Sequence, residues 1–148
     1  MLFRSKVAVL RFDKKPLNGI VYNDFGDVGT FKDGLPNGTH RGWHENGQLW
    51  FEENYVNGEE QGLAKGWYDN GQLCYEVNYE NGEEHGLVRS WHDNGQLELE
   101  LNYVNGEKHG LCRGWYYNGQ LGYELYYVNG EEHGLSREWD ENGQELFF

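Results

Sequence analysis

Along most of this chain, large apolar residues alternate with polar or small ones. Leu73, Tyr75, Val77 and Tyr79 set the pattern, which returns at Leu97, Leu99, Leu101 and Tyr103 and again at Leu121, Tyr123, Leu125 and Tyr127. Period-two alternation predicts strands with one buried face, and it turns Glu76, Asn78, Glu100 and Asn102 away from that face. A shorter strand is predicted from Leu63 to Trp67, with Lys65 inside it; its equivalents carry Arg41, Arg89, Arg113 and Arg137. Asn-Gly joins the two strands of each pair, a strong short-range hairpin signal. A second turn, Asn-Gly-Glu, passes the chain onward at Asn57, Asn81, Asn105 and Asn129.

The hairpins repeat. Asn-Gly-Gln begins at Asn46, Asn70, Asn94, Asn118 and Asn142, always 24 residues apart, and Trp43, Trp67, Trp91, Trp115 and Trp139 keep the same spacing. So do Tyr55, Tyr79, Tyr103 and Tyr127, and Gly38, Gly62, Gly86, Gly110 and Gly134. A fixed period marks an array whose core forms between neighbouring units. Residues 1–148 therefore read as one repeat domain: a degenerate capping unit over 1–37, four 24-residue repeats over 38–133, and a half-repeat or cap over 134–148. The opening unit runs from Gly19 to Gly38 in 19 residues, so its hairpin is expected to be shorter. Val7–Leu10 also reads as a strand, too short for the apolar region of a signal peptide. The expected fold is all-β: five to six stacked β-hairpins in a single-layer, elongated antiparallel sheet.

The phase of pairing inside a hairpin stays open. A two-residue loop at Asn70-Gly71 sets Lys65 opposite Glu76, and Arg41, Arg89 and Arg113 opposite Glu52, Glu100 and Glu124, each pair contributing about 0.2–1 kcal/mol. A three-residue loop, Asp69-Asn70-Gly71, with a bulge instead brings Trp67 and Leu63 to the Leu73/Tyr75/Val77 face. That second arrangement gathers every strictly repeated large residue on one side.

Composition agrees with strands and turns. Aromatics are 16% of the 148 residues and there are 22 glycines. The formal charge of −13 is uneven: residues 1–40 carry six Lys/Arg against four Asp/Glu, whereas 41–148 carry six against 21. An acidic body repels phosphate backbones and anionic headgroups, so neither nucleic acid nor a membrane is the expected partner. A protein with a basic surface is its complement. Cys74 and Cys112 hold different places in their repeats, which fits a reducing compartment rather than a disulfide framework. A cytoplasmic location is expected, in a bacterium or in a host cell for a viral protein.

The recurring Gly-x-x-x-x-Trp-x-x-Asn-Gly-x-Leu…Tyr-x-Asn-Gly-x-x-His-Gly pattern resembles the MORN repeat, more closely its bacterial and viral variant form, over about residues 12–146. The resemblance implies stacked hairpins serving as an interaction scaffold, and it is similar to immunity or antitoxin proteins of bacterial toxin systems and to arrays in large DNA viruses. Some eukaryotic members are linked to phospholipids, which this acidic chain does not suit. It also has Ala64, Val88, Cys112 and Ser136 where the usual repeat has a second glycine.

Chemistry is spread rather than focused. His85, His109 and His133 recur beside glutamates, but equivalent residues two strands apart are separated by roughly 10 Å, too far to share one ion. Glu59/Glu60 and Glu131/Glu132 sit in turns with no apolar pocket to raise a carboxyl pKa. Neither a catalytic constellation nor a metal or cofactor site is expected. The tryptophan ladder reads either as inter-hairpin core or as an exposed groove of binding anchors. Two positions vary between units, Trp50/Cys74/Glu98/Gly122 and His44/Tyr68/His92/Tyr116, and from these Trp50, Tyr68, His92 and Tyr116 are the candidate partner-binding residues. Leu146, Phe147 and Phe148 are candidates for a cap or for homodimerisation through the C-terminal edge, since an open sheet ends in an unpaired strand. The expected function is non-catalytic protein binding, either by an immunity or antitoxin-type protein occluding a basic partner or by a structural or assembly scaffold, as in a large DNA virus. A carbohydrate-binding array is a weaker third reading.

Overall fold

The computed structural model describes residues 11–134 and 136–147, apart from the side chains of Phe12 and Asp27. The expected strand at Val7–Leu10 and the candidate Phe148 lie outside the described residues. Twelve strands follow one another across an open antiparallel sheet: β1 Gly19–Asn23, β2 Gly26–Lys32, β3 Leu35–Trp43, β4 Leu49–Val56, β5 Gly62–Trp67, β6 Leu73–Glu80, β7 Gly86–Trp91, β8 Leu97–Val104, β9 Gly110–Trp115, β10 Leu121–Val128, β11 Arg137–Trp139 and β12 Glu145–Leu146. Four two-residue strands fold back onto β4, β6, β8 and β10 and bring the sheet to 16 strands. The result is six hairpins in chain order, the all-β array that the alternation predicts.

The two Asn-Gly turns differ. At Asn57-Gly58 both residues have positive φ, 50° and 88°, and Val56 pairs with Glu59, so this is the two-residue turn that suits strand twist. At Asn-Gly-Gln only the glycine is left-handed, Gly71 at φ 82°. The Tyr68 N–H donates to the Gln72 carbonyl at 2.9 Å and the Gly71 N–H to the Tyr68 carbonyl at 2.9 Å, giving a three-residue Asp69-Asn70-Gly71 loop. Even so, Lys65 pairs with Glu76. Cys74 is an extra residue in β6, between the pairs Gly66–Tyr75 and Trp67–Leu73, and this bulge resets the register. Each alternative open at the sequence level therefore holds in part: three residues in the loop, ion pairs across the strands. Trp50, Glu98 and Gly122 occupy the same bulge in their hairpins.

The bulge decides the faces, and it corrects the expectation that Leu63 and Trp67 join Tyr75 and Val77. Gly62, Ala64 and Gly66 lie opposite Tyr79, Val77 and Tyr75, so alternation sends Leu63, Lys65 and Trp67 to the other side. Leu63 is 44% exposed there. The core lies on the tyrosine side, where Val77, Val88, Leu101 and Cys112 are buried under Tyr75, Tyr79, Leu99, Tyr103, Tyr123, Leu125 and Tyr127. Of the departures from glycine, Ala64, Val88 and Cys112 are among the most buried side chains of the described residues, whereas Ser136 is exposed. His40, 24 residues before Ala64, is buried too; its Nε2 is 2.8 Å from the Thr30 carbonyl, which only accepts, so that nitrogen carries the proton.

The other side carries a rail of alternating charge. In register across nine strands stand Arg41, Glu52, Lys65, Glu76, Arg89, Glu100, Arg113, Glu124 and Arg137. Within hairpins the ion pairs are 2.8 Å for Arg41–Glu52, 2.9 Å for Lys65–Glu76, 3.0 Å for Arg89–Glu100 and 2.9 Å for Arg113–Glu124. Five of the six Lys/Arg residues of 41–148 are in this rail, which leaves Lys108 against 17 carboxylates elsewhere in the body.

Both ends depart from the repeat. The first hairpin closes on two residues, Asp24-Phe25, and is shorter, as its spacing predicts. At the far end β12 pairs with β11, which makes Glu145–Leu146 the edge strand, and Phe147 beyond it is 86% exposed.

Candidate functional site

The loops that close the hairpins lie beside one another because four of the five Asn-Gly-Gln tripeptides link two units. Asn70 Oδ1 accepts the Gln72 N–H at 2.9 Å, while Asn70 Nδ2 donates to the Asp93 carbonyl of the next loop at 2.9 Å. Asn46, Asn94 and Asn118 make the same reach, to Asp69, Tyr117 and Glu141, at 2.7–2.8 Å. One amide thus serves its own turn and its neighbour's.

Just inside the loops the variable positions come together in pairs. His44 stands by Trp50, ring centroids 6.1 Å apart. Tyr68 stands by Cys74, whose interaction with the phenol, with burial, pushes it up to about 12. His92 Nδ1 lies 3.8 Å from Glu98 Oε1. Tyr116 lies over Gly122, where an added Cβ would stand 3.1 Å from the ring. Each His or Tyr thus abuts the bulge residue six positions on, and the pairs succeed one another along the sheet at roughly 10 Å per hairpin. This column changes chemistry while the frame repeats.

The His and Tyr members have a second contact that sequence reasoning does not supply. His44 and His92 reach the Trp67 and Trp115 carbonyls through Nε2 at 2.7 and 3.0 Å, and the Tyr68 and Tyr116 hydroxyls donate to the Trp91 and Trp139 carbonyls at 2.8 Å. Imidazole and phenol are interchangeable here because each offers one donor at similar reach. The bulge residue is consequently the freer member of each pair. Of the four candidates, Trp50 is 54% exposed and packs edge-on to Phe51 at 5.4 Å, whereas Tyr68, His92 and Tyr116 are half-buried. His92 and Tyr116 line one cleft of about 390 Å³ together with Glu98 and Gly122; Trp50 and Tyr68 stand apart from it. Ser90 and Leu99 also line this cleft, and the sequence does hold their signal: a glycine faces an aromatic at Gly42/Phe51, Gly66/Tyr75 and Gly114/Tyr123, but a serine faces a leucine here.

The loops beside the column carry Glu45, Asp69, Asp93 and Glu141, and a second set of carboxylates stands farther off. Glu59, Glu83, Glu107 and Glu131, with Glu60, Glu84 and Glu132, follow the Asn-Gly turns at the opposite ends of the long strands. Glu84 is pushed above the usual carboxylate range by burial, an effect Lys108 opposes. Cys74 and Cys112 are free thiols. Among the described residues no group of three or more His, Cys, Asp or Glu could hold a metal ion.

The chain matches no curated protein sequence. The family model described as the MORN repeat variant matches four consecutive stretches, residues 36–57, 60–81, 84–105 and 108–129, together more than half of the chain. MORN repeats are generally protein- or membrane-binding modules and generally non-catalytic. Six hairpins in register, the variable column between their loops and these four matches lead to one assignment: the chain belongs to the MORN repeat variant family.

Proposed function

We propose that this protein binds a protein partner with a basic surface, without catalysis, through the variable column and the acidic surface beside it. In its most concrete form it is an immunity or antitoxin-type protein that occludes the partner's active surface. The observation that carries this reading is the sorting of charge. The body's cations are almost all held in the rail, so the rest of that body meets a partner as a carboxylate surface with one column of changing side chains. Trp50 and the positions of Tyr68, His92 and Tyr116 give the column its specificity.

Selection of random-sequence peptides displayed at low and high salt tests the reading. Enrichment of Lys/Arg-rich peptides, with binding lost as salt rises, is the expected result. Binding that survives high salt, or selection of neutral or acidic peptides, overturns it. A scaffold role is the second reading, favoured by Leu146 in an edge strand followed by the exposed Phe147. Removing residues 146–148 leaves the molecular mass unchanged on the binding reading and lowers it on the scaffold reading.

A further inference from the structure

The cleft between β8 and β10 exists because the array omits two side chains at adjacent places. In three hairpins an aromatic ring lies over the glycine opposite it: a Cβ added at Gly42, Gly66 or Gly114 would overlap the ring of Phe51, Tyr75 or Tyr123. The fourth pair is Ser90 and Leu99, and no ring covers that site. One hairpin on, the bulge position, filled by Trp50, Cys74 and Glu98 in the other hairpins, holds Gly122. Two missing side chains side by side open the sheet surface.

What remains in the cleft is chemically specific. Glu98 Oε2 accepts the Ser90 hydroxyl at 2.9 Å, and Oε1 lies 3.8 Å from His92 Nδ1. Serine thus fixes the carboxylate, and among the ion pairs of the described residues Glu98 meets this histidine and neither a lysine nor an arginine. Tyr116 and Tyr123 line the same space. Their phenols are engaged elsewhere, Tyr116 with the Trp139 carbonyl and Tyr123 with Cys112. An anion would be repelled by Glu98 and by the acidic body. A neutral apolar group would strip water from the carboxylate and give it no partner. A cation satisfies the carboxylate and is attracted to aromatic ring faces.

We infer that this cleft receives a single lysine or arginine side chain of the partner, with Glu98 as its counter-ion and Tyr116 and Tyr123 beside its stem. The inference rests on the reading that the partner is basic, and it adds where that partner is anchored. In the full-length protein, titration with N-acetyl-lysinamide moves the amide resonances of Ser90, Glu98, Gly122 and Tyr123, and N-acetyl-norleucinamide, which has the stem without the charge, does not. Equal shifts with both compounds, or none with lysinamide, overturn the assignment. With a Lys-rich peptide obtained by the display selection, Glu98→Gln and the plugging variant Gly122→Trp each weaken binding about tenfold, whereas Glu52→Gln, in the rail on the other side of the sheet, changes it less than about twofold. Trp50 shows that the bulge position accepts tryptophan, and the isosteric Glu98→Gln keeps the test decisive if Gly122→Trp fails to fold. A peptide that binds both cleft variants as well as the parent overturns the cleft and leaves the basic-partner reading standing. Failure to select any basic peptide overturns that reading itself.

Discussion

At the scale of the residue, this sheet is organised by the absence of side chains as much as by their presence. Gly66 has to be small because the Tyr75 ring occupies the place of its Cβ. Gly66→Ser is expected to cost about 1–3 kcal/mol in urea denaturation, the range for overpacking. Ser90 and Leu99 show how the chain itself relieves that clash. The double variant Gly66→Ser/Tyr75→Leu should therefore be more stable than the sum of its single changes, by a coupling of about 0.5–3 kcal/mol. Strict additivity would mean that the ring and the glycine are not packed as described. This pairing is present in the sequence, but it needs the strand register to be seen: Gly66 and Tyr75 are nine positions apart and become neighbours only after the Cys74 bulge. The alternation of Tyr75, Val77 and Tyr79 was legible because it lies beyond the bulge, whereas Leu73 lies before it and changes phase.

At the scale of the element, the hairpins are joined through their loops. Asn94 illustrates the double duty: its Oδ1 takes the Gln96 N–H at 2.9 Å and its Nδ2 gives a hydrogen bond to the Tyr117 carbonyl at 2.8 Å. Asn94→Asp preserves the first contact and deletes the second, leaving a carboxylate facing a carbonyl, so a loss of about 1–3 kcal/mol is expected. Asn142 is the comparison. In its hairpin the Gln144 N–H goes to Asp140 Oδ1 at 2.9 Å and not to the asparagine, so Asn142→Asp should change stability by less than about 0.5 kcal/mol. Equal losses at both positions would mean that neither of the two hydrogen bonds of Asn94 carries the effect. The tripeptide announces a hairpin in any sequence reading. Its reach of 23 residues to the next loop is a property of the stack, and no local rule supplies it. The His and Tyr alternation at 44, 68, 92 and 116 was hidden for the same reason, since it looks like variation until the shared carbonyl acceptor is seen.

At the scale of the whole molecule, the charge rail and the tyrosine side set different responses to solvent. The rail is half-exposed, so each pair is worth little, about 0.2–1 kcal/mol. Arg89 lies between Glu76 and Glu100, and Arg89→Gln should lower stability by about 1 kcal/mol at low ionic strength, with much of the difference disappearing in concentrated salt. The tyrosine side responds to pH instead. Burial, followed by the charges of Glu84, Glu60 and Glu53, pushes Tyr79 up to about 12. The neighbouring Cys74 and burial raise Tyr68 to about 12, and burial with the Glu53 hydrogen bond raises Tyr55 as well. In the unfolded chain these phenols titrate near their ordinary value of about 10. The folded protein therefore holds more protons than the unfolded one above that value, and its stability falls as pH rises. Stability from these groups is fully present below pH about 10 and is lost progressively as pH rises towards the folded values near 12. Urea midpoints should thus show no tyrosine-linked change from pH 7 to 9 and drop steadily above about 10, with tyrosinate absorbance rising together with unfolding. Tyr79→Phe removes one titrating group from the row and should flatten that alkaline decline. If the decline keeps its slope in this variant, Tyr79 ionises as freely in the folded array as in the unfolded chain, and the tyrosine side is wetter than its packing implies.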